Sequence, residues 1–392
     1  MISRDVTTLF ESLLQQFPIV TLTGPRQSGK TTLARAVCAS MPYVSLENPD
    51  IRRYATDDPR GFLATYAKGA VFDEIQRVPE LASYLQQSVD DDPSPGRFVL
   101  TGSQQFELMR GVSQSLAGRS GLLRLLPLSY SELCRLKPTA AQASASELVF
   151  CGFYPRIHHR GLNPTHALSS YFAAYVERDL RALSTVQDLN RFERFVRLCA
   201  GRIGQLLNLQ NLANDCGIAQ STANQWMDLL QTSGIVYLLQ PWFTNTNKRL
   251  IKSPKLYFID TGLAAWLLNL RSASQLERDP LWGHLFENFV VIEALKERWH
   301  HGNTGPLYHY RDAVGHEIDL LWPQGAGVHA IEVKAGATVN GDYFKGLKYF
   351  RAVHSEHLLS GRVVFGGDES QMRSDFAALS WRGLASRHSP PA

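Results

Sequence analysis

Residues 19–32 read IVTLTGPRQSGKTT, an apolar strand-like run followed by a glycine-rich segment and the start of a helical pattern. Within this stretch, residues 24–31 have the G-x-x-x-x-G-K-T spacing of a phosphate-binding loop between a strand and a helix. Gly24 and Gly29 let the backbone curl so that its amides face phosphate oxygens, aided by the positive end of the helix. The stretch therefore predicts a nucleotide-binding P-loop in an α/β domain.

Two side chains of this loop have distinct predicted roles. Lys30 would reach the β- and γ-phosphates of ATP, and the hydroxyl of Thr31 would bind Mg²⁺. The predicted nucleotide-binding residues are consecutive: Gly24, Pro25, Arg26, Gln27, Ser28, Gly29, Lys30, Thr31 and Thr32.

A second strand-like run, GAVFDE at 69–74, ends in two acidic residues. An acid at the end of a buried strand beside a P-loop can hold Mg²⁺ through water, and this is the role we predict for Asp73. Glu74 would then polarise the attacking water. The pair predicts a site that hydrolyses ATP.

Two further polar residues are candidates for the same reaction. The run GRFVLTGS at 96–103 places Ser103 at a strand tip, where it would sense the γ-phosphate or orient the water. Arg119, in SLAGRSG at 115–121, is either an arginine finger or a solvated loop arginine. A finger would come from the same chain or from a neighbouring subunit, and the second case implies a homo-oligomer.

The composition is that of a globular chain. Of its 392 residues 44% are hydrophobic and 19% charged, which argues against a largely disordered protein. The formal net charge of +4 permits contact with nucleic acid without predicting it. The sequence has no membrane-length apolar run, no secretory signal pattern and no paired cysteines. We therefore predict a cytoplasmic protein with no membrane partner and no zinc.

The order of the patterns predicts three domains of an α/β protein. Residues 1–137 alternate strands with helices and predict a parallel sheet. Residues 138–276 are predicted to be mostly helical, and residues 277–392 to form one amphipathic helix followed by several strands. The small-residue stretch at 136–147 predicts a surface linker.

Four motifs carry a resemblance to a known family: GPRQSGKTTLA (24–34), VFDEIQRVPEL (71–81), FVLTGSQ (98–104) and LAGRSGLLRLLPLSYSEL (116–133). Together they resemble prokaryotic AAA+-type P-loop ATPases that carry a C-terminal domain of unknown function. The resemblance continues to KSPKLYFIDTGL and covers most of the chain. It implies ATP hydrolysis by Lys30, Thr31, Asp73 and Glu74, with Arg119 as a finger that acts in trans.

The middle segment has the outline of a winged helix. Gly217 would supply the turn between two helices, the second from Gln220 to Gln231, before a β-wing. Such a second helix often reads DNA, but this one contains no Lys or Arg. A basic stretch that would grip backbone phosphate follows: Lys248, Arg249, Lys252 and Lys255. DNA is thus a candidate partner, and a protein-contact or structural module is the alternative.

A second candidate site lies in the last hundred or so residues. Glu287 is on the predicted amphipathic helix, Asp319 is in the strand-like run HEIDLLW, and AIEVKAG supplies Glu332 and Lys334. Alternate residues of a strand share a face, so Glu332 and Lys334 would project together. Carboxylates beside a lysine predict a second Mg²⁺ or Mn²⁺ site, in which the metal activates water against a phosphodiester.

This constellation resembles the PD-(D/E)xK core of restriction-endonuclease-like domains, with Ile318 in place of the proline. Related domains often keep the fold as a binding platform, so three hypotheses remain open. The first is an ATPase coupled to a nuclease-like domain that acts on DNA. The second is a nucleotide-dependent switch or scaffold for protein partners with a silent nuclease-like domain. The third is a nuclease that ATP only regulates.

Overall fold

The computed structural model describes residues 2–102, 116–176, 188–243 and 253–385. The chain forms two compact units. The first contains residues up to 128 with the segments 232–234 and 299–303, and the second contains the remainder. No helix in the described ranges combines the length and apolarity needed to cross a membrane. The predicted domain boundaries at 137/138 and 276/277 stay predictions.

The first unit is built on a five-stranded parallel sheet with the order β2-β3-β4-β1-β5. Its strands are β1 (Ile19–Thr23), β2 (Tyr43–Ser45), β3 (Ala70–Asp73), β4 (Phe98–Thr101) and β5 (Ser120–Arg124). Strands β1, β3 and β4 are buried along their whole length, as expected for a parallel sheet that is covered on both faces. The prediction of a parallel α/β sheet is confirmed.

Helices alternate with these strands: α1 (Thr7–Gln16), α2 (Lys30–Val37), α3 (Pro49–Asp57), α4 (Pro59–Thr65) and α5 (Leu81–Asp91). Asn48 and Asp58 cap α3 and α4, because their side chains accept the otherwise unpaired N–H groups of Asp50 and Gly61. The carboxyl ends of β1, β3 and β4 meet at one edge of the sheet, so their end residues are brought together there.

The second unit contains a seven-stranded mixed sheet with the order β12-β11-β10-β9-β8-β6-β7. Its strands are β6 (Val236–Pro241), β7 (Lys255–Phe258), β8 (Tyr308–Arg311), β9 (Glu317–Gln324), β10 (Gly327–Lys334), β11 (Leu358–Phe365) and β12 (Ala377–Ser380). Strands β10, β11 and β12 are parallel and β6 is parallel to β8, whereas the other neighbours are antiparallel. The strands predicted around Asp319 and Glu332 are both present.

The remaining helices run along the rest of the chain: α6 (Tyr130–Leu136), α7 (Ala145–Cys151), α8 (Pro155–Arg160), α9 (Pro164–Tyr175), α10 (Leu189–Ala200), α11 (Leu209–Cys216), α12 (Gln220–Thr232), α13 (Thr261–Leu267), α14 (Ala273–Arg278), α15 (Trp282–His300) and α16 (Lys345–His354). The predicted linker at 136–147 is wrong in its second half, where Ser144 and Glu147 form a capping box that begins α7.

Helices α11 and α12 form the predicted helix-turn-helix outline. They are separated by Gly217, which ends α11 in the left-handed conformation with φ +71°. Trp226 of α12 packs edge-on against Phe192 and Phe195 of α10, so this face of α12 belongs to the core. Strands β6 and β7 are antiparallel and belong to the seven-stranded sheet. The winged-helix assignment stays a prediction.

The helix predicted to be amphipathic, α15, is instead buried on all sides from residue 285 to 296. Its polar groups in this stretch are paired, which makes their burial tolerable. The side-chain amide of Asn288 accepts from the N–H of Phe258 at 2.6 Å and donates to its carbonyl at 2.8 Å. Lys296 donates to Glu293 at 2.7 Å. The helix therefore passes through the core of the unit rather than along its surface.

Candidate functional sites

The P-loop joins β1 to α2, and its backbone requires glycine at both ends. Gly24 has φ +142°, and a Cβ added there would lie 2.1 Å from the carbonyl oxygen of Leu125. Gly29 has φ +98° and stands immediately before α2. The loop is therefore curled at the positive end of the helix, where backbone amides favour an anion.

The Lys30 side chain is buried against its own loop. Its ammonium donates to the carbonyl oxygens of Gly24 at 2.8 Å and Pro25 at 2.9 Å. Carbonyl oxygens are weaker partners for an ammonium than phosphate oxygens, which carry full charge. A nucleotide phosphate in the loop would therefore compete with these carbonyls for Lys30.

The carboxylate of Asp73, at the end of β3, is surrounded by hydroxyl groups. It accepts from Thr31 at 3.2 and 3.3 Å, from Tyr43 at 2.5 Å and from Thr101. Burial and the hydrogen bond to Asp73 raise the pKa of Tyr43. No cation contacts Asp73 in the part of the chain that the structure describes. The carboxylate and the Thr31 hydroxyl together offer the hard oxygen ligands that Mg²⁺ prefers.

Glu74 follows Asp73 in a left-handed backbone conformation, with φ +56° and ψ +47°. This conformation is uncommon for a residue other than glycine, and such outliers cluster at functional sites. The Glu74 carboxylate accepts a hydrogen bond from the side-chain amide of Gln76. The backbone and this amide together fix the direction of the acid.

The other two predicted catalytic residues have different outcomes. Ser103 lies outside the described residues. Arg119 makes a two-point ion pair with Asp90, with distances of 2.5 Å from Nε and 2.9 Å from Nη2. Its carbonyl accepts from the N–H of Ile19, so Arg119 lies where β1 begins, whereas the P-loop follows the end of β1. Within its own chain Arg119 is therefore at the opposite edge of the sheet from the P-loop.

Arg4 is a P-loop contact that the sequence prediction missed. Its buried guanidinium donates to the carbonyl oxygens of Ser28 at 2.8 Å and Leu126 at 2.7 Å. Arg4 thereby ties the P-loop to the segment that follows β5. The sequence carries no local signal for this contact, because Arg4 lies 24 and 122 positions from its two partners.

A cleft of about 550 Å³ in the second unit brings the four predicted nuclease-like residues together. Glu287 comes from α15, Asp319 from β9, and Glu332 and Lys334 from β10. The Lys334 ammonium lies 3.0 Å from Glu332 Oε1 and 3.9 Å from Asp319 Oδ2. The backbone N–H of Val333 donates to Asp319 at 2.9 Å.

Lys255 is a further member of this cleft. It is the first residue of β7, and its buried ammonium contacts Glu287 at 2.9 Å, Asp319 at 3.3 Å and also Glu317. Tyr257, two residues on along the strand, donates its hydroxyl to Glu287 at 2.5 Å. The predicted role of Lys255 in gripping backbone phosphate is therefore wrong, because its charge is enclosed by carboxylates. Lys248, Arg249 and Lys252 of the same stretch lie outside the described residues.

Burial and neighbouring charges shift the pKa values of the cleft residues in different directions. Burial alone would lower the pKa of Lys255, but Tyr257 and the carboxylates of Glu287 and Asp319 hold that pKa well above its ordinary value. Burial works to raise the pKa of Asp319, but Lys255 and Lys334 outweigh it and lower that pKa. Burial and the charge of Asp319 raise the pKa of Glu332.

One carboxyl oxygen in the cleft has no hydrogen-bond partner among the described residues. The second carboxyl oxygen of Glu332, Oε2, is buried and makes no hydrogen bond to any described residue. A buried polar atom without a partner is destabilising unless a ligand, an ion or water satisfies it. The carboxyl groups of Asp319 and Glu332 thus fit a hard cation in their chemistry, although the Lys255 ammonium already contacts Asp319.

Comparison with known protein families divides the chain into three matched stretches. Residues 16–134 match a family described as an AAA domain, residues 142–274 match the domain of unknown function DUF8612, and residues 282–383 match the domain of unknown function DUF4143. The predicted AAA-type P-loop ATPase domain at the N-terminus is confirmed. The C-terminal match agrees with the predicted domain of unknown function and leaves the nuclease-like fold a prediction.

Relatives extend over most of the chain. The Mycobacterium tuberculosis protein Rv2008c is 34% identical over 342 residues, which are 86% of this chain and 74% of the relative. A protein of Haemophilus influenzae is 24% identical over 307 residues, or 74% of this chain and 72% of the relative. The Methanocaldococcus jannaschii protein MJ1544 is 21% identical over 351 residues, or 82% and 75%.

Two solved structures resemble this chain with TM-scores below 0.5. The Walker-type ATPase of Pyrococcus abyssi has a TM-score of 0.47 and 14% identity, and the match covers 68% of this chain and 96% of that one. Thermotoga maritima RuvB has a TM-score of 0.31 and 21% identity, covering 59% and 88%. Both TM-scores are low, so neither similarity bears on the function of this chain.

Proposed function

The chain belongs to the protein family of Mycobacterium tuberculosis Rv2008c, and we propose that it is a Mg²⁺-dependent ATPase whose hydrolysis is coupled to the carboxylate cleft of its second unit. One observation carries the ATPase part of the proposal. Asp73 meets the hydroxyl of Thr31, next to Lys30, at the carboxyl edge of a parallel sheet. This is the arrangement that a nucleotide phosphate with its metal requires.

Each of these side chains has one task in the proposed reaction. Lys30 exchanges the loop carbonyls for the β- and γ-phosphate oxygens when ATP binds. Thr31 and Asp73 are the residues that would hold Mg²⁺, which neutralises phosphate charge when bound. Glu74 accepts the proton of the attacking water, and its strained backbone keeps the carboxylate directed at one place.

ATP turnover by the purified full chain tests this proposal. We expect Lys30→Ala to lose both nucleotide binding and turnover, and Glu74→Gln to lose turnover while ATP still binds. Lys68→Ala is the matched control, because Lys68 is an exposed lysine before β3 and touches none of these residues. Turnover that survives Glu74→Gln would show that Glu74 is not the base.

The cleft supports metal-dependent phosphodiester chemistry in the second unit. Asp319 and Glu332 would hold the metal, Glu287 would contribute a third acid, and Lys334 would stabilise the charge that develops on the phosphate. The unpartnered oxygen of Glu332 is the observation that favours a ligand here. Metal-dependent cleavage of DNA that Lys334→Ala abolishes would support this role.

A second candidate function is a nucleotide-dependent switch or scaffold whose cleft is silent. The position of Lys255 favours it, because an ammonium between Glu287 and Asp319 offsets part of their negative charge without a metal. A divalent cation would have to displace Lys255 before it could bind the same carboxylates. If no metal supports DNA cleavage, and Asp319→Ala changes neither ATP turnover nor its response to DNA, the scaffold is favoured over the coupled nuclease.

The same assays separate a third arrangement, a nuclease that ATP only regulates. Cleavage that continues in Glu74→Gln, where hydrolysis is blocked, would favour it. ATP turnover measured with and without DNA tests coupling directly. The expected result is that DNA stimulates turnover and that Asp319→Ala removes this stimulation.

We also propose that Arg119 acts as an arginine finger, supplied from a neighbouring subunit of a homo-oligomer.

A further inference from the structure

A second cavity in the second unit, of about 300 Å³, is separate from the carboxylate cleft. Leu320 of β9 and Ile331 of β10 line it, and these residues alternate along their strands with Asp319 and Glu332. Alternate side chains of a strand leave the sheet on opposite faces. The cavity therefore lies on the other face of these strands from the two carboxylates of the cleft.

The cavity contains a buried arginine that has no partner among the residues the structure describes. Arg362 of β11 is only 8% exposed, and it makes no hydrogen bond or ion pair with any described residue. Burial lowers the pKa of Arg362, and no carboxylate in the described chain offsets this effect. A guanidinium nevertheless stays charged in proteins, and a buried charge without a counterion is strongly disfavoured. An anion is the group that this position lacks.

The rest of the lining indicates what kind of anion fits. The walls are mostly aliphatic: Val290, Ala294, Leu320, Ile331, Val364 and Leu379. Ser370 adds a hydroxyl that accepts from the N–H of Ser380 at 2.9 Å, and its own hydrogen has no acceptor among the described residues. The ligand therefore needs an apolar body as well as a charged end, and the volume is at the lower end of small-molecule sites.

Arg362 can balance a single negative charge on the ligand. Arg362 is the one cation among the described lining residues, and Glu293 and Glu297 also line the cavity. Glu293 is engaged by Lys296 at 2.7 Å and by the backbone N–H of Tyr130 at 2.7 Å. A dianionic phosphate would meet too little positive charge, whereas a carboxylate matches the planar guanidinium at two points.

We propose that this cavity binds a small apolar carboxylic acid, with the carboxylate on Arg362 and the hydrocarbon against the aliphatic walls. The site uses no residue of the P-loop or of the carboxylate cleft. Its occupancy is therefore independent of whether either of those sites is active.

Isothermal titration of the full chain with octanoate and octanol tests the proposal, since the two probes share a hydrocarbon body and differ in charge. We expect octanoate to bind and octanol to bind about tenfold or more weakly. Arg362→Met should lose that preference and still bind octanol. Arg351→Met, an exposed arginine of α16 paired with Asp375 at 3.3 Å, is the control that should keep it.

Thermal unfolding separates lost binding from lost folding. Arg362→Met removes an unpaired buried charge, so its melting temperature should equal or exceed that of the wild type, and octanoate should raise only the wild-type value. Ala294→Phe, which fills the cavity and leaves Arg362 in place, should also abolish the octanoate shift. The proposal is overturned if octanoate does not bind the wild type, or if it binds a folded Arg362→Met variant equally well.

Discussion

The P-loop and the carboxylate cleft both combine lysines with acidic residues, but the lysine contacts the acids only in the cleft. In the P-loop, Lys30 donates to backbone carbonyls, whereas the side-chain partners of the Asp73 carboxylate within the described part of the chain are all hydroxyl groups. In the cleft, the Lys255 ammonium lies directly on the acids. The first arrangement leaves a carboxylate ready for an external cation, and the second supplies its cation from the chain. Similar residue types therefore form one carboxylate without a cation contact among the described residues and one that a lysine of the chain itself contacts.

The largest expected effect on ATP hydrolysis comes from Glu74, the acid that follows Asp73. Glu74→Gln should lower the rate of ATP hydrolysis by roughly 10²–10⁴-fold, the usual contribution of a general base. Nucleotide binding should persist, because Gln keeps the shape and the contact with Gln76. Single-turnover hydrolysis and equilibrium binding of a fluorescent ATP analogue measure the two effects separately. Loss of binding together with turnover would mean that Glu74 holds the loop rather than the water.

The next effect tests the cleft. Lys255→Met removes the internal cation and leaves buried acids unpaired, so the free energy of unfolding without divalent metal should fall by about 3–5 kcal/mol. Mn²⁺ should restore much of this loss in the variant and change the wild type little. Urea unfolding with Mn²⁺ or with EDTA measures both. An equal Mn²⁺ effect on the two proteins would show that Lys255 does not occupy the metal position.

A smaller effect is expected from the contact that supports the P-loop. Arg4→Met should raise the KM for ATP about tenfold, since charged hydrogen bonds to Ser28 and Leu126 are lost and the loop loosens. The rate constant at saturation should change much less. Arg97→Met is the matched control, because Arg97 also donates to backbone carbonyls, those of Ser88 and Asp92, away from the P-loop. If Arg97→Met raises KM equally, the effect is one of general stability.

Arg119 should have the smallest effect on ATP binding and on the stability of its own chain, because it lies across the sheet from its own P-loop. Arg119→Ala should bind ATP normally and melt near the wild-type temperature. If the residue acts in trans, a mixture of Arg119→Ala with Glu74→Gln should hydrolyse ATP faster than either variant alone, because one supplies the base and the other the finger. A mixture no faster than its parts would remove the trans finger from the account.

The features predictable from the sequence are those set by neighbours in the chain. The P-loop is a pattern of eight consecutive residues. Asp73 and Glu74 are recognised by the apolar strand that directly precedes them, so both motifs can be predicted from local sequence. Glu332 and Lys334 follow from strand alternation. The spacing of Ser144 and Glu147 also fits a capping box, but the small residues around them favour a linker.

The features that escaped prediction depend on long-range packing. Lys255 lies 32 positions from Glu287 and 64 from Asp319. Its neighbours in the sequence therefore indicate only a basic stretch, and its acidic partners cannot be predicted from them. Burial of α15 on all sides is likewise not predictable from its sequence, because its polar residues are typical of a solvated face and their partners lie in other elements or in its own next turn. A charge pattern alone does not distinguish a solvated face from a paired and buried one.

Mn²⁺ binding followed by electron paramagnetic resonance tests the contrast between the two sites most directly. With ATP but no DNA present, the wild type should bind one Mn²⁺ tightly per chain because Lys255 still contacts the cleft acids. Asp73→Asn should lose this ion, and Lys255→Met should gain a second that Asp319→Asn removes. The result that would contradict the account is a wild-type chain that binds two ions tightly without DNA, or a Lys255→Met chain that gains none.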